Sequence, residues 1–133
     1  MKSLVVLRVV AVVHAVAVCL QPVLAGAYLN GSGAAMRMHE PIGLGLAFVC
    51  LTQLLTATIY WRSGGRGSAV LVTLLLLVAE AAQISMGYSR QLAVHIPLGI
   101  TIVAIVCAFA VWTFRPAARV QRTAKNASVE VLV

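Results

Sequence analysis

Four apolar stretches, each about as long as a bilayer is thick, decide what this chain can become. A hydrocarbon core of about 30 Å is crossed by about 20 apolar residues in helix. Residues about 4–29, 41–60, 68–88 and 92–114 each reach that length. The linkers between them are short and polar or glycine-rich: Asn30-Gly31-Ser32-Gly33, Arg62-Ser63-Gly64-Gly65-Arg66-Gly67 and Ser89-Arg90-Gln91. Short links between long helices make antiparallel neighbours. The expected fold is therefore all-α, an integral membrane up-down-up-down four-helix bundle over residues 1–115, with a basic tail at 116–133.

Composition closes off the other classes. The chain is 62% hydrophobic and 10% charged, whereas a soluble domain carries about 25% charged residues. Such a sequence cannot cover a water-facing surface, which excludes a soluble enzyme, a nucleic-acid-binding domain and a disordered chain. Cys19, Cys50 and Cys107 all lie in apolar runs. They suggest neither a disulfide framework nor a zinc spacing, and a buried free cysteine behaves as a small hydrophobe.

Lysine and arginine set the expected orientation. Lys2, Arg8, Arg62, Arg66, Arg115, Arg119, Arg122 and Lys125 fall on one side, and only Arg37 and Arg90 on the other. Both termini are thus expected in the cytoplasm, in a prokaryotic-type plasma membrane. The net charge of +7 is read as topology signal and anionic-lipid contact. The first stretch also has the outline of a signal peptide, with Ala25-Gly26-Ala27 at the cleavage position. Arg8, His14 and Gln21 interrupt its apolar core, and the repeat below needs this helix, so it is read as a retained span.

That repeat is the most informative pattern in the chain. The second stretch opens His39-Glu40-Pro41-Ile42-Gly43 and the fourth His95-Ile96-Pro97-Leu98-Gly99. Upstream, the first stretch ends Gln21…Gly26-Ala27-Tyr28 and the third Gln83…Gly87-Tyr88. The bundle is therefore read as two repeated helical hairpins of the same polarity, related by a pseudo-twofold axis along the membrane normal. His39 and His95 then lie at similar depth near the outer face and look at each other across that axis. A proline two residues after each histidine fits a helix start, where a missing N–H costs little.

Ionisable residues inside a membrane default to a functional reading. Two neutral imidazoles on opposite walls of one cavity suit the axial positions of a haem iron, and the porphyrin needs an apolar slot. Gly43 and Gly99 lie one turn deeper than the histidines on the same face and let a flat group approach the backbone, or let the helices pack closely. Arg37 and Arg90, one in each loop region, are placed to meet propionates, and Tyr28 and Tyr88 share that interface. Zinc asks for three or four donors, and Glu40 is the one acidic residue beside the pair. Met36 and Met38 with imidazole would suit copper. Neither alternative follows from the repeat as directly as two trans ligands.

The run Gln21-Pro22-Val23-Leu24-Ala25-Gly26…Gly31-Ser32-Gly33…His39…Gly43, followed by His95 in the fourth stretch, resembles one four-helix half of a haem A synthase. In that family two such halves are fused, and each carries a histidine pair on its second and fourth helices. The resemblance implies axial ligation of one haem b per chain at His39 and His95. The chain has one half only, carries Met36 where the catalytic half has a glutamate, and lacks the outer-loop cysteine pair. What is implied is a small haem unit for electron transfer or haem handling rather than a complete oxidase. It would work as a homodimer or beside a respiratory or haem-assembly partner in the lipid bilayer.

Other polar residues remain. His14 lies about 22 Å below the outer end of its helix at about 1.5 Å per residue, and Glu80 about two turns below the end of the third. A carboxylate in hydrocarbon must be neutral, solvated or paired. Glu80 either relays protons or bonds Gln21, Gln83 or His14. Two further readings stay open: a cofactor-free accessory subunit of a larger membrane complex, and a small proton-coupled transporter using Glu80 and His14.

Overall fold

The computed structural model describes residues 2–119. Helices α1 (Lys2–Leu29), α2 (Gly33–Arg62), α3 (Ser68–Tyr88) and α4 (Leu92–Phe114) are followed by a short 3₁₀ turn, Pro116–Ala118. Helix α1 packs on α2 and α4, and α3 packs on the same two. The molecule is thus a four-helix bundle with α2 and α4 on one diagonal. All four helices are long and apolar enough to cross a membrane. One end of the bundle holds the turns 30–32 and 89–91; the other holds residue 2, the loop 63–67 and the 3₁₀ turn. The tail expected at 116–133 lies, beyond Arg119, outside the described residues.

Each helix buries one narrow stripe. On α1 it runs Leu4, Leu7, Ala11, His14, Val18 and the half-buried Gln21; on α3 Ala69, Thr73, Leu76, Glu80, Gln83 and Gly87. On α2 it includes Leu46, Cys50, Gln53, Ala57 and Tyr60, and on α4 His95, Gly99, Ile102, Val106, Phe109 and Thr113. Alternating steps of three and four are the seam of coiled-coil packing. The opposite faces carry Val5, Val9, Val16, Phe48, Leu55, Leu75 and Ile100, all exposed. A water-soluble monomer does not leave apolar surface on this scale, whereas a lipid-facing one does.

The turns share one device. Gly31 and Gly64 adopt φ +95°, and Arg90 adopts φ +56° at the matching place. The next residue in each closes the helix it follows: the Ser32 N–H donates to the Ala27 carbonyl at 3.0 Å, that of Gly65 to Tyr60 at 3.0 Å, and that of Gln91 to Met86 at 2.9 Å. These are left-handed helix caps of the Schellman kind, where glycine is the usual residue. Arg90 is the exception.

Two expectations are corrected. Helix α2 begins at Gly33 rather than near 41, because Ser32 caps it; its hydroxyl accepts from the Ala35 N–H at 3.4 Å. Pro41 and Pro97 consequently lie inside their helices and not at the starts. Each removes one backbone donor, leaving the carbonyls of Arg37 and Ala93 without their partner four residues on. Near a helix end such a loss is tolerable, because neighbouring groups and water reach the freed oxygen.

Candidate functional site

The buried seam carries two polar layers. The first lies toward the 30–32/89–91 end and contains both predicted histidines. Their ring centroids stand 6.4 Å apart at an interplanar angle of 60°, one from α2 and one from α4 across the bundle. Each ring is held by the helix before it in the chain. His95 Nδ1 lies 2.9 Å from the Gln83 carbonyl oxygen, and His39 Nδ1 lies 3.2 Å from the Gln21 carbonyl oxygen. A carbonyl only accepts, so Nδ1 of His95 carries a proton, and in the neutral ring Nε2 keeps a lone pair. Metal-bound histidines are oriented by this kind of bond at the second nitrogen.

His39 has an additional neighbour. Turned so that its oxygen accepts from the Gly43 N–H at 3.2 Å, the Gln21 amide sets its nitrogen 3.3 Å from the His39 carbonyl and 3.0 Å from Nδ1. The carbonyl asks for a proton on Nδ1 and the amide for a bare nitrogen, so His39 can hold either tautomer while His95 is fixed.

The sequence repeat is real at this layer, but only in part. Gln21 stands to His39 as Gln83 does to His95. The Gly-Tyr element does not correspond: Gly87 follows Gln83 by one turn and packs under the His95 ring, whereas Gly26 has open space around it. The first hairpin is also longer, since α1 and α2 each run three residues, close to one turn, further beyond this layer than α3 and α4.

The remaining predicted residues are placed as follows. A Cβ on Gly43 would meet the Gln21 side-chain amide at 3.6 Å, and one on Gly99 would meet that of Gln83 at 2.7 Å. Both glycines therefore make room beneath the histidines, and glutamine amides use it. Arg37 and Arg90 are exposed at the same end. Tyr88 donates to Glu40 Oε1 at 2.8 Å, and Tyr28 is exposed.

The second layer was not assembled from the sequence. His14, Gln53 and Thr73 are fully buried and Glu80 is 4% exposed. Thr73 Oγ1 donates to the Ala69 carbonyl at 2.8 Å, so it accepts from Gln53 Nε2 at 3.4 Å. That turns Gln53 Oε1 toward His14 Nδ1 at 3.1 Å, which must then donate. His14 Nε2 is left facing Glu80 Oε1 at 2.8 Å, a separation that requires one shared proton. Cys50 completes the group; the ligand atoms of His14, Cys50 and Glu80 all lie within 4.8 Å of one another. Glu80 begins further along α3 than this layer, but a helical side chain leans toward its own N-terminus, and that lean returns the carboxylate to His14. Of the partners considered for Glu80, His14 is the one it meets.

Apolar packing brackets these layers. Leu4, Leu7, Ala57, Tyr60, Ala69 and Phe109 form one cluster, and Val18, Leu46, Cys50, Leu76, Ile102 and Val106 another. The basic residues also separate by end. Arg8 donates from Nε to the Thr113 carbonyl at 2.7 Å and lies 5.1 Å from the Phe114 ring. Arg66 donates to the Ala117 carbonyl at 2.9 Å.

No protein-family model, no curated protein and no solved structure matches the chain.

Proposed function

We propose that this chain is a b-type haem-binding protein of a prokaryotic-type plasma membrane, holding one haem through His39 and His95 and acting in electron transfer or haem handling. Both termini lie in the cytoplasm on this reading, and the histidine layer faces outward. One observation carries it. Two imidazoles on one metal ion, at about 2 Å per metal–nitrogen bond, place their ring centres roughly 6 Å apart, and this pair stands at 6.4 Å. The carbonyls of Gln21 and Gln83 supply the anchoring second bond.

The surrounding residues have definable tasks. Leu46, Leu98 and Ile102 belong to the apolar cluster inside the bundle and would give a porphyrin apolar contacts. The amides of Gln21 and Gln83 occupy the room left by Gly43 and Gly99; they are flexible side-chain ends and would swing aside for a flat ligand. Arg90 holds a left-handed backbone position that glycine takes in the other two turns. A non-glycine residue there costs about 1–2 kcal/mol, and such strain gathers at functional places. A guanidinium retained at that position suits a propionate. Bound haem would supply a one-electron ferric/ferrous couple, with its potential set by two imidazoles and a low-dielectric surround.

The test is a reduced-minus-oxidised visible spectrum of detergent-purified protein, before and after haem addition, beside His39→Ala and His95→Ala. Sharp reduced bands lost in both variants are expected. A wild type that stays colourless with added haem refutes the reading and leaves an accessory subunit of a larger complex.

A further inference from the structure

We propose that His14, Cys50 and Glu80 form a binding site for one divalent transition-metal ion of the zinc class in the middle of the bundle, separate from the His39–His95 layer. The three residues come from α1, α2 and α3, and their ligand atoms lie within 4.8 Å of one another. All three are buried. An imidazole nitrogen, a thiolate and a carboxylate are the donors zinc takes from proteins, and three of them leave a fourth position open.

Charge balance favours this occupant. A dication with one thiolate, one carboxylate and one neutral imidazole sums to zero, as a low-dielectric interior demands. Binding sends two protons to water: the thiol proton of Cys50 and the proton shared by His14 and Glu80.

The orientation is already built. The chain from the Ala69 carbonyl through Thr73 and Gln53 leaves His14 Nε2 directed at the cluster. His14 Nε2 and both Glu80 oxygens are buried, and what they face is one another and the Cys50 thiol, the set of donors a cation would draw together. Tetrahedral bonds of about 2.0–2.1 Å hold nitrogen and oxygen ligands roughly 3.3 Å apart, against 2.8 Å here. The Glu80 carboxylate needs to withdraw by about half an ångström, within the freedom of its side chain.

The experiment titrates detergent-purified full-length protein with Zn²⁺ and Co²⁺, each supplied alone. One ion per chain is expected, with a thiolate-to-cobalt charge-transfer band and the intense visible bands of tetrahedral Co²⁺. Cys50→Ser should remove the charge-transfer band and weaken binding at least tenfold at unchanged helix content. Gln53→Leu, which frees the His14 ring, should weaken it about 10–100-fold. The His39→Ala/His95→Ala double variant should bind the ion with unchanged stoichiometry and spectrum, whether or not the chain holds haem. The absence of a cobalt–thiolate band in the wild type overturns the proposal. So does binding that survives Cys50→Ser and His14→Gln but is lost in the double variant, because the ion then sits between the other two histidines.

Discussion

Replacing Gly87 by alanine tests the packing that holds His95. A Cβ at that position would stand 3.0 Å from His95 Cε1 and 3.3 Å from Nδ1, both closer than ordinary van der Waals contact. The imidazole is rigid and tied at 2.9 Å to the Gln83 carbonyl, so relief requires the ring to move and that bond to lengthen. Overpacking costs about 1–3 kcal/mol and a weakened hydrogen bond up to about 1 kcal/mol. The gain in helix propensity from glycine to alanine returns about 1 kcal/mol. A net destabilisation of up to about 3 kcal/mol is expected. Gly26→Ala is the internal control: nothing lies within 4 Å of its added carbon, so only the propensity gain of about 1 kcal/mol remains. Reversible unfolding in mixed detergent micelles, followed by far-ultraviolet circular dichroism, should show the two variants moving in opposite directions. Any haem spectrum should shift in Gly87→Ala and stay put in Gly26→Ala. Equal stability of the two variants would refute the stacking of His95 on the α3 backbone.

Three further outcomes are expected. Arg90→Gly should raise stability by about 1 kcal/mol in the same unfolding assay, by releasing a left-handed arginine, while weakening haem retention; unchanged stability would show that the turn carries no strain. Glu80→Ala leaves the buried His14 without its partner and should cost about 3–5 kcal/mol, and Glu80→Gln less, since an amide can still donate to Nε2; similar losses in both would mean the pair is not shielded from water. Cys19 and Cys107 face each other with sulfurs 3.6 Å apart on α1 and α4, so a mild oxidant should abolish maleimide labelling of these two and lower the intact mass by two hydrogens. Labelling that persists would overturn the α1–α4 pairing.

How much was legible beforehand depended on whether a property belongs to one helix or to several. The four long apolar helices, their antiparallel order and the opposition of His39 and His95 could be read because long apolar runs, short links and a repeated motif are local patterns. The start of α2 could not, because an apolar-run criterion stops at Arg37, His39 and Glu40, whereas a serine cap carries the helix three residues beyond the corresponding point of the second hairpin. What fills the space that Gly43 and Gly99 leave comes from glutamines on another helix, which no pattern local to either glycine announces.

The second layer marks the boundary most clearly. In the folded bundle His14, Gln53, Thr73 and Glu80 each lie on the inner stripe of their own helix, but apolar residues line the outer faces as well, so sequence alone does not mark which face is inner. Which of these residues touch depends on the axial offset and rotation of one helix against the next, set by the fit of Leu46, Leu76, Ile102 and Val106 in the shared core and by the lean of each side chain toward its helix start. Sequence by itself determined that there would be four helices long and apolar enough to cross a membrane, and that the ionisable groups within them would need partners. Tertiary structure alone decided that His14 meets Glu80 and Cys50, because apolar packing fixes the register between helices and polar side chains must pair with whatever that register brings within reach.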